Sequence, residues 1–439
     1  MAHVTVLGAG LVAGPVVRHI LESSNHTVAV AARNPERAAA LINGHPRGRA
    51  VAFDIADADA LDRIVAESDV VVSMLPWIHH VTVAERCIAH KRHLVTTSYV
   101  SPAMRALHDR ARDAGIVILM ELGLDPGIDH MSAMKVIHGV RAKGGRVVSF
   151  RSYCGGLPAP EANDNPFGYK FSWSPRGVVL AARNAAKYLK DGAEVYIPGP
   201  ELFANPEIVN VAGAGTFEGY PNRDSTSYVA TYGLEGVQTM FRGTLRNLGH
   251  CETWKAMADM GLYDDANRFY PKGTFRDVMA SLAGVASNAD VEAAVAAKAG
   301  IDRAATPIQK LAWLGMFEAE ALPDENISPL DALVARMVEK LQYKKGERDM
   351  IVLQHEFIAQ YGERREYIRS ALVDYGMPNG ETAMSRTVGL PAAIGVLRVL
   401  DNTIATPGVV VPVAPAVYEP ILAELETLGI KFHEEVSAL

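Results

Sequence analysis

The stretch Val4-Thr5-Val6-Leu7-Gly8-Ala9-Gly10-Leu11-Val12-Ala13 decides how the rest of the chain is read. A short apolar run, residues 4–7, stops at a glycine turn, and a helical pattern continues through Leu21. Each small residue has its own task. Gly8 makes the tight turn, Gly10 lets a pyrophosphate approach the backbone, and Ala13 lets the helix pack closely on the strand. The helix N-terminus then turns its unbonded N–H groups toward phosphates. A lone GxGxxA is a weak signal; the strand–turn–helix setting makes it a dinucleotide-binding fingerprint.

Strands and helices alternate onward from this point. Residues 27–32, 50–53, 69–75, 93–97 and 116–120 read as strands, with helices over 35–41 and 57–66. Pro35 sits in a first helical turn, and Ser101 caps a helix that has Pro102 at its first position. The 69–75 run has no polar alternation, so both of its faces are buried. The class is α/β, a doubly wound parallel sheet covered on both faces. After Met120 the character changes. Residues 123–127, 155–168, 198–206 and 220–224 are rich in Gly, Pro and Asn and read as loops. Residues 263–346 are helical and charged, 349–357 form a strand, and 387–401 and 417–431 form helices.

The 439 residues imply more than one domain, and 49% hydrophobic with 21% charged residues describes an ordinary globular enzyme. A net charge of -7 with no basic stripe excludes a nucleic-acid partner. Three scattered cysteines without metal-ligand spacing fit a reducing, cytoplasmic setting. The N-terminus runs directly into a strand and lacks a secretory pattern, and no uninterrupted apolar run long enough for a membrane span is expected.

The second strand ends in Ala32-Arg33-Asn34, where an NAD-selective site would place an acid on the ribose 2′-hydroxyl. Arg33, with Arg37 a turn later, suits a 2′-phosphate instead, so the expected cofactor is NADP(H). Asp54-Ile55 follows the third strand and flanks the adenine. Leu75-Pro76 follows the fourth and flanks the nicotinamide ribose.

Six further stretches concentrate unusual chemistry: Ser98-Tyr99-Val100-Ser101-Pro102, residues 121–130, residues 153–161, residues 165–174, Tyr220-Pro221-Asn222-Arg223-Asp224-Ser225 and Arg242-Gly243-Thr244-Leu245-Arg246. Arg223 and Arg246, in separate loops, are suited to clamp carboxylates of a polyanionic substrate. These stretches resemble those of saccharopine dehydrogenase of the NADP-dependent, L-glutamate-forming type, also called saccharopine reductase, and the resemblance covers essentially the whole chain. It implies a variant Rossmann domain over 1–124, completed by 385–439. Residues 125–384 would be an inserted mixed α+β domain for substrate binding and dimerisation, with a helical insertion around 263–346.

What the resemblance implies about residues follows where they match. Cofactor contacts fall on Gly8, Gly10, Leu11, Val12, Ala13, Arg33, Asn34, Asp54, Ile55, Leu75, Pro76, Leu124, Asp125, Pro126 and Ser174. Contacts to saccharopine fall on Ser98, Tyr99, Asp125, Arg223, Thr244, Leu245 and Arg246. The implied reaction joins glutamate and 2-aminoadipate 6-semialdehyde through an imine that NADPH reduces. Asp125 is then the candidate for the secondary ammonium and its proton, with Tyr99 and Cys154 as lesser proton donors. The implied assembly is a homodimer without membrane or nucleic-acid partners.

Blander readings accompany these. Asp125 beside Pro126-Gly127 is also a turn former, Arg223 and Asp224 suit local ion pairs, and Cys154 and His130 suit buried packing roles. The adjacent His79-His80 point in different directions on a helix and form no metal pair. Two rival functions remain: a carboxynorspermidine dehydrogenase-like imine reductase, which would need acids for a cationic amine, and a non-catalytic NADP(H) sensor, which needs no substrate clamp.

Overall fold

The computed structural model describes every residue except Lys272, which lies inside the 263–346 region. The chain forms two compact units, Met1–Arg146 with Gly376–His433, and Val147–Tyr375 with Glu434–Leu439. In the first unit β1 (His3–Leu7), β2 (Thr27–Ala32), β3 (Gly48–Ala52), β4 (Val70–Ser73), β5 (His93–Thr96) and β6 (Val117–Leu119) lie parallel. Their spatial order is β6-β5-β4-β1-β2-β3, so the order reverses between β1 and β4. The intervening helices start where their caps dictate. Asn34, Asp57 and Ser101 each accept a backbone N–H of the first turn. The first unit runs on past the expected boundary at 124, because the helix Ile128–Ala142 belongs to it.

His80 opens the helix His80–His90 and is buried below the sheet's carboxyl edge. Its Nδ1 meets Ser73 Oγ of β4 at 2.9 Å, and its Nε2 meets Thr96 Oγ1 of β5 at 3.2 Å and Ser98 Oγ at 2.8 Å. Three hydroxyls satisfy the ring, and burial holds its pKa down at about 4.

The second unit is built on β7 (Arg146–Pro158), β8 (Ala186–Lys190), β9 (Ala193–Ile197), β10 (Glu207–Val211), β11 (Gly215–Pro221) and β12 (Thr239–Arg246). A small pair, β13 (Arg268–Phe269) and β14 (Asn326–Ile327), interrupts the helical region, and β15 (Asp349–Tyr361) and β16 (Arg364–Tyr375) form a long hairpin. The main sheet runs β10-β11-β12-β7-β15-β16. Helices Phe275–Ala283, Val291–Ala299, Thr306–Leu314 and Pro329–Lys340 share one apolar core with His250–Met260. Residues 155–158 and 220–221, expected in loops, are strand. The glycine there marks close approach rather than a turn: a Cβ on Gly155 would lie 2.7 Å from the Leu245 carbonyl oxygen.

The chain then returns to the first unit as the helix Ala383–Leu400, β17 (Gly408–Val410) beside β6, and the helix Pro415–Thr427. With a mean hydropathy of 1.3 over 18 residues, Ala383–Leu400 is long and apolar enough to cross a membrane, which the sequence reading did not credit. Here 78% of it is buried inside the protein, and it packs along the glycine-loop helix Gly14–Ser23. A Cβ on its Gly389 would lie 3.0 Å from both Pro15 Cβ and the Val12 carbonyl oxygen. The last strand, β18 (His433–Ala438), leaves the first unit and lies beside β16, with Leu439 N–H donating to the Arg365 carbonyl at 3.0 Å. The expectation that residues up to 439 complete the first domain is corrected there, because an unpaired edge strand finds its ladder on the other sheet.

Gly389→Val should push two packed helices apart and cost about 1–3 kcal/mol of stability, measured by urea denaturation. A midpoint equal to wild type would mean that this contact does not set the packing. His80 makes a second expectation. Its folded pKa, about 4, lies below the ordinary 6.5, so the unfolded chain takes up the proton first as pH falls. Its contribution is complete above pH 6.5 and is lost between 6.5 and 4, a loss of about 3 kcal/mol at 1.4 kcal/mol per pKa unit. Buried His250 acts in the same direction. His80→Gln should therefore flatten part of the acid side of the stability–pH curve, and an unchanged curve would contradict it.

Candidate active site

The first group of candidates lies beyond the carboxyl ends of β1 to β4, around the point where the strand order reverses. Gly8 holds φ +106°, and its N–H donates to Ala31 at 2.8 Å. A Cβ there would meet the Met74 carbonyl oxygen at 3.1 Å. Gly10 is different, because nothing lies within 4 Å of where its Cβ would be. Packing does not require glycine at that position, and the missing Cβ leaves room for a ligand to approach the backbone. The following helix has no side-chain cap and no acid in its first turn, so its N-terminus is left for an anion. Ala13 is fully buried and Leu11 is exposed.

Arg33 and Arg37 are exposed at the end of β2, and no acid stands between Ala32 and Asn34. The Asn34 side chain caps the next helix, accepting from the Arg37 backbone N–H at 2.9 Å, and the exposed guanidiniums of Arg33 and Arg37 are the charged groups there for a 2′-phosphate. Asp54, after β3, accepts from Ala56 N–H at 3.0 Å and lies exposed beside Ile55. Leu75 and Pro76 follow β4. The open cradle at Gly10, the uncapped helix and the acid-free β2 end together fit a phosphorylated dinucleotide.

The second group stands at the ends of β5 and β6 in the same unit. Tyr99 donates its hydroxyl to Asp125 Oδ1 at 2.7 Å, so two sequence-derived candidates are in direct contact. Ser98, next to Tyr99, is held by His80. Leu124, Asp125 and Pro126 form a tight turn that leads into the helix Ile128–Ala142. His130 is fully buried, with Nε2 2.7 Å from Glu121 Oε2. His80 and Glu121 carried no site assignment from sequence; their partners lie 7 to 21 residues away, beyond any local spacing rule.

The third group belongs to the second unit. Across β7, β12 and β11 the register aligns Cys154, Thr244 and Tyr220 in one row, with Arg246 paired to Glu218 two positions further. Leu245 points to the opposite face, into the core with Tyr153 and Leu157, so only its backbone is available to a ligand. Cys154 is buried. Arg223 sits exposed at φ +54° in the following loop, while Asp224 accepts from Thr226 and faces Lys187 at 3.3 Å. Ser174 is exposed and caps the helix Pro175–Ala181, accepting from Gly177 N–H.

Arg246 is 7% exposed, yet among the described residues it has no carboxylate partner. Its Nη1 donates to the Leu245 carbonyl at 2.8 Å, its guanidinium lies 5.1 Å from the centre of the Tyr169 ring, and its Nε has no partner. The acid opposite it in the ladder is engaged elsewhere. Glu218 accepts from Gly249 N–H at 2.8 Å and Cys251 N–H at 2.7 Å, at the positive N-terminal end of the helix His250–Met260. Two further basic groups lie close by. Lys310 is buried with its Nζ on the Gly249 carbonyl at 2.9 Å, and burial lowers its pKa. His250 stacks on Trp254 and is held neutral, first by burial and then by Arg246 and Lys310. Such a cationic interior is stable only if its charge is used, and a substrate carboxylate is the natural counter-ion.

Comparison with known proteins agrees with this chemistry. Residues 4–119 match the family model for the saccharopine dehydrogenase NADP binding domain, and 123–430 match the saccharopine dehydrogenase C-terminal domain. The chain is 42% identical over 448 residues to "Saccharopine dehydrogenase [NADP(+), L-glutamate-forming]" of Saccharomyces cerevisiae, covering 99% of both. It is 38% identical over 447 residues to the protein of that name from Schizosaccharomyces pombe, again covering 99% of both. The solved apo structure of the L-Glu-forming saccharopine dehydrogenase from Saccharomyces cerevisiae superposes with a TM-score of 0.90 at 40% identity, covering 100% of each chain. The chain belongs to the saccharopine dehydrogenase family, of the NADP-dependent, L-glutamate-forming type.

Proposed function

We propose that this protein catalyses the reversible oxidation of saccharopine by NADP+ to L-glutamate and 2-aminoadipate 6-semialdehyde, an oxidoreduction at a CH–NH group in lysine metabolism. The observation that carries the reading is Arg246, a buried guanidinium with no acid of its own among the described residues. Saccharopine brings carboxylates and a secondary amine. In the second unit Arg246 and Arg223 hold carboxylates and Thr244 donates or accepts beside them; Ser98, in the first unit, is a further saccharopine contact. Bound NADP+ supplies the hydride acceptor, held by the Gly8–Ala13 turn, Arg33, Asp54-Ile55 and Leu75-Pro76.

Before oxidation the secondary ammonium must lose a proton. Asp125, hydrogen-bonded by Tyr99, is the acceptor assigned to it. The amine then loses hydride to give an imine, and water adds to that carbon and releases the glutamate amine and the aldehyde. Asp125 and Tyr99 return and remove protons in those steps, with Cys154 as the further donor on the row with Thr244. The buried groups around Arg246 argue against a diamine substrate, whose cationic tail would need acids. Three scattered, buried cysteines suit a reducing compartment, the cytoplasm, and the assembly proposed is a homodimer, which sedimentation equilibrium measures.

Saccharopine with NADP+ should produce NADPH absorbance, and saccharopine with NAD+ should produce far less. Arg33→Ala should reduce that preference about 10- to 100-fold, the worth of a charge-assisted hydrogen bond. Absence of turnover, with NADPH still bound by fluorescence titration, would exclude this substrate and favour a sensor. Arg246→Met should raise the KM for saccharopine about 100-fold, while the ligand-free protein melts at or above the wild-type temperature, because a buried unpaired charge is removed. A marked fall in melting temperature would show that Arg246 has a structural partner.

A further inference from the structure

Glu121 stands just beyond β6 in a backbone conformation that L side chains avoid, with φ +57°. It is 5% exposed. Glycine or asparagine would adopt this conformation more readily, so the side chain that occupies it is there for its own bonds. Those bonds go to two different segments. Oε1 accepts the Val100 N–H at 2.8 Å, and Oε2 lies 2.7 Å from His130 Nε2.

The first segment is the one that carries Ser98 and Tyr99. Glu121 N–H donates to the Ser98 carbonyl at 3.2 Å, so backbone and carboxylate grip both sides of Tyr99. The second is the helix that leaves the Asp125 turn. There Gly127 N–H donates to Asp129 Oδ1 at 2.6 Å, Asp129 N–H donates to the Leu124 carbonyl at 3.0 Å, and Ile128 N–H donates to Gly123 at 2.8 Å. The turn that holds Asp125 is therefore bonded to itself, and through His130 it is bonded to Glu121. The hydroxyl of Tyr99 and the carboxylate of Asp125 meet at 2.7 Å on the far side of this brace.

We propose that Glu121 is a positioning residue for the reaction: its one buried carboxylate sets the distance between the Tyr99 hydroxyl and Asp125 by holding the two segments that carry them. This rests on the assignment of Tyr99 and Asp125 to the proton transfer described above. A misplacement of about 1 Å at reacting groups costs on the order of 100-fold in rate, so a brace of this kind acts on kcat.

Glu121→Gly tests it, because glycine relieves the backbone while deleting the carboxylate. In the full-length protein it should lower kcat for saccharopine oxidation about 100-fold. Glu121→Gln keeps an oxygen for Val100 N–H and offers an N–H to His130 Nε2, so it should restore kcat to within about threefold. In a Tyr99→Phe background Glu121→Gly should add little, because the pair it aligns is already broken. Its full effect persisting there would overturn the proposal. Crystal structures separate the two levels. The Tyr99–Asp125 hydrogen bond should survive in Glu121→Gln and be lost in Glu121→Gly; its survival in Glu121→Gly overturns the brace whatever the kinetics. Tyr99→Phe and Asp125→Asn with wild-type rates would instead overturn their assignment to proton transfer, and the two crystal structures would still decide the brace. If Glu121→Gly does not fold, Glu121→Asn, which tolerates this backbone but cannot span both partners, should show the same losses.

Discussion

A parallel sheet cannot leave a face open to water, and the first unit meets that requirement with a helix from the other end of the chain. Ala383–Leu400 lies along Gly14–Ser23, the helix that follows the glycine turn, and Gly389 permits the approach. The contact reaches the Val12 carbonyl, inside the turn itself. The helix whose N-terminus is open to an anion is thus fixed from behind by Gly389, 377 positions from Val12 (389 − 12). Nucleotide binding and core packing share one element there, and neither is separable from the C-terminal segment.

The second unit rests on a different economy of charge. Arg246 faces Glu218 across the ladder, but Glu218 closes the N-terminus of a helix and leaves the guanidinium to its aromatic neighbours. Lys310 and a neutral His250 add to the imbalance. An interior with more cations than anions has a poor claim to stability by itself. Its sense is in recognition, since a polar group left unpaired in a dry site discriminates strongly for the ligand that pairs with it.

Much of the first unit was legible in the sequence because its signals are local. The glycine turn, the Ser101 cap and the apolar strand runs all act within a few residues, and each stands where it was read; the caps at Asn34 and Asp57 are equally local but were not read. The candidate pair Tyr99 and Asp125 was legible only through resemblance, and the structure adds that the two touch. What escaped depends on distance along the chain. Glu218 reaches Cys251 across 33 positions and Lys310 reaches Gly249 across 61, so no periodicity announces them. Gly155–Pro158 escaped for the opposite reason: glycine and proline there suggest a turn, and only the Leu245 backbone alongside shows why glycine is needed in a strand. Leu245, assigned through resemblance as a contact, turned out to face the core because strand alternation places it opposite Thr244 and Arg246.

The chain passes from one unit to the other three times, after Arg146, after Tyr375 and after His433. During synthesis from the N-terminus, β1 to β6 therefore emerge long before the helix that covers them. The later-made second unit has nearly all of its residues available while the earlier-made sheet still waits for its lid. Order of translation and order of completion are inverted, and an apolar sheet face remains uncovered in the nascent protein until about residue 400 leaves the ribosome. A cell making this protein has a reason to engage chaperones early on a chain whose finished form hides that surface entirely.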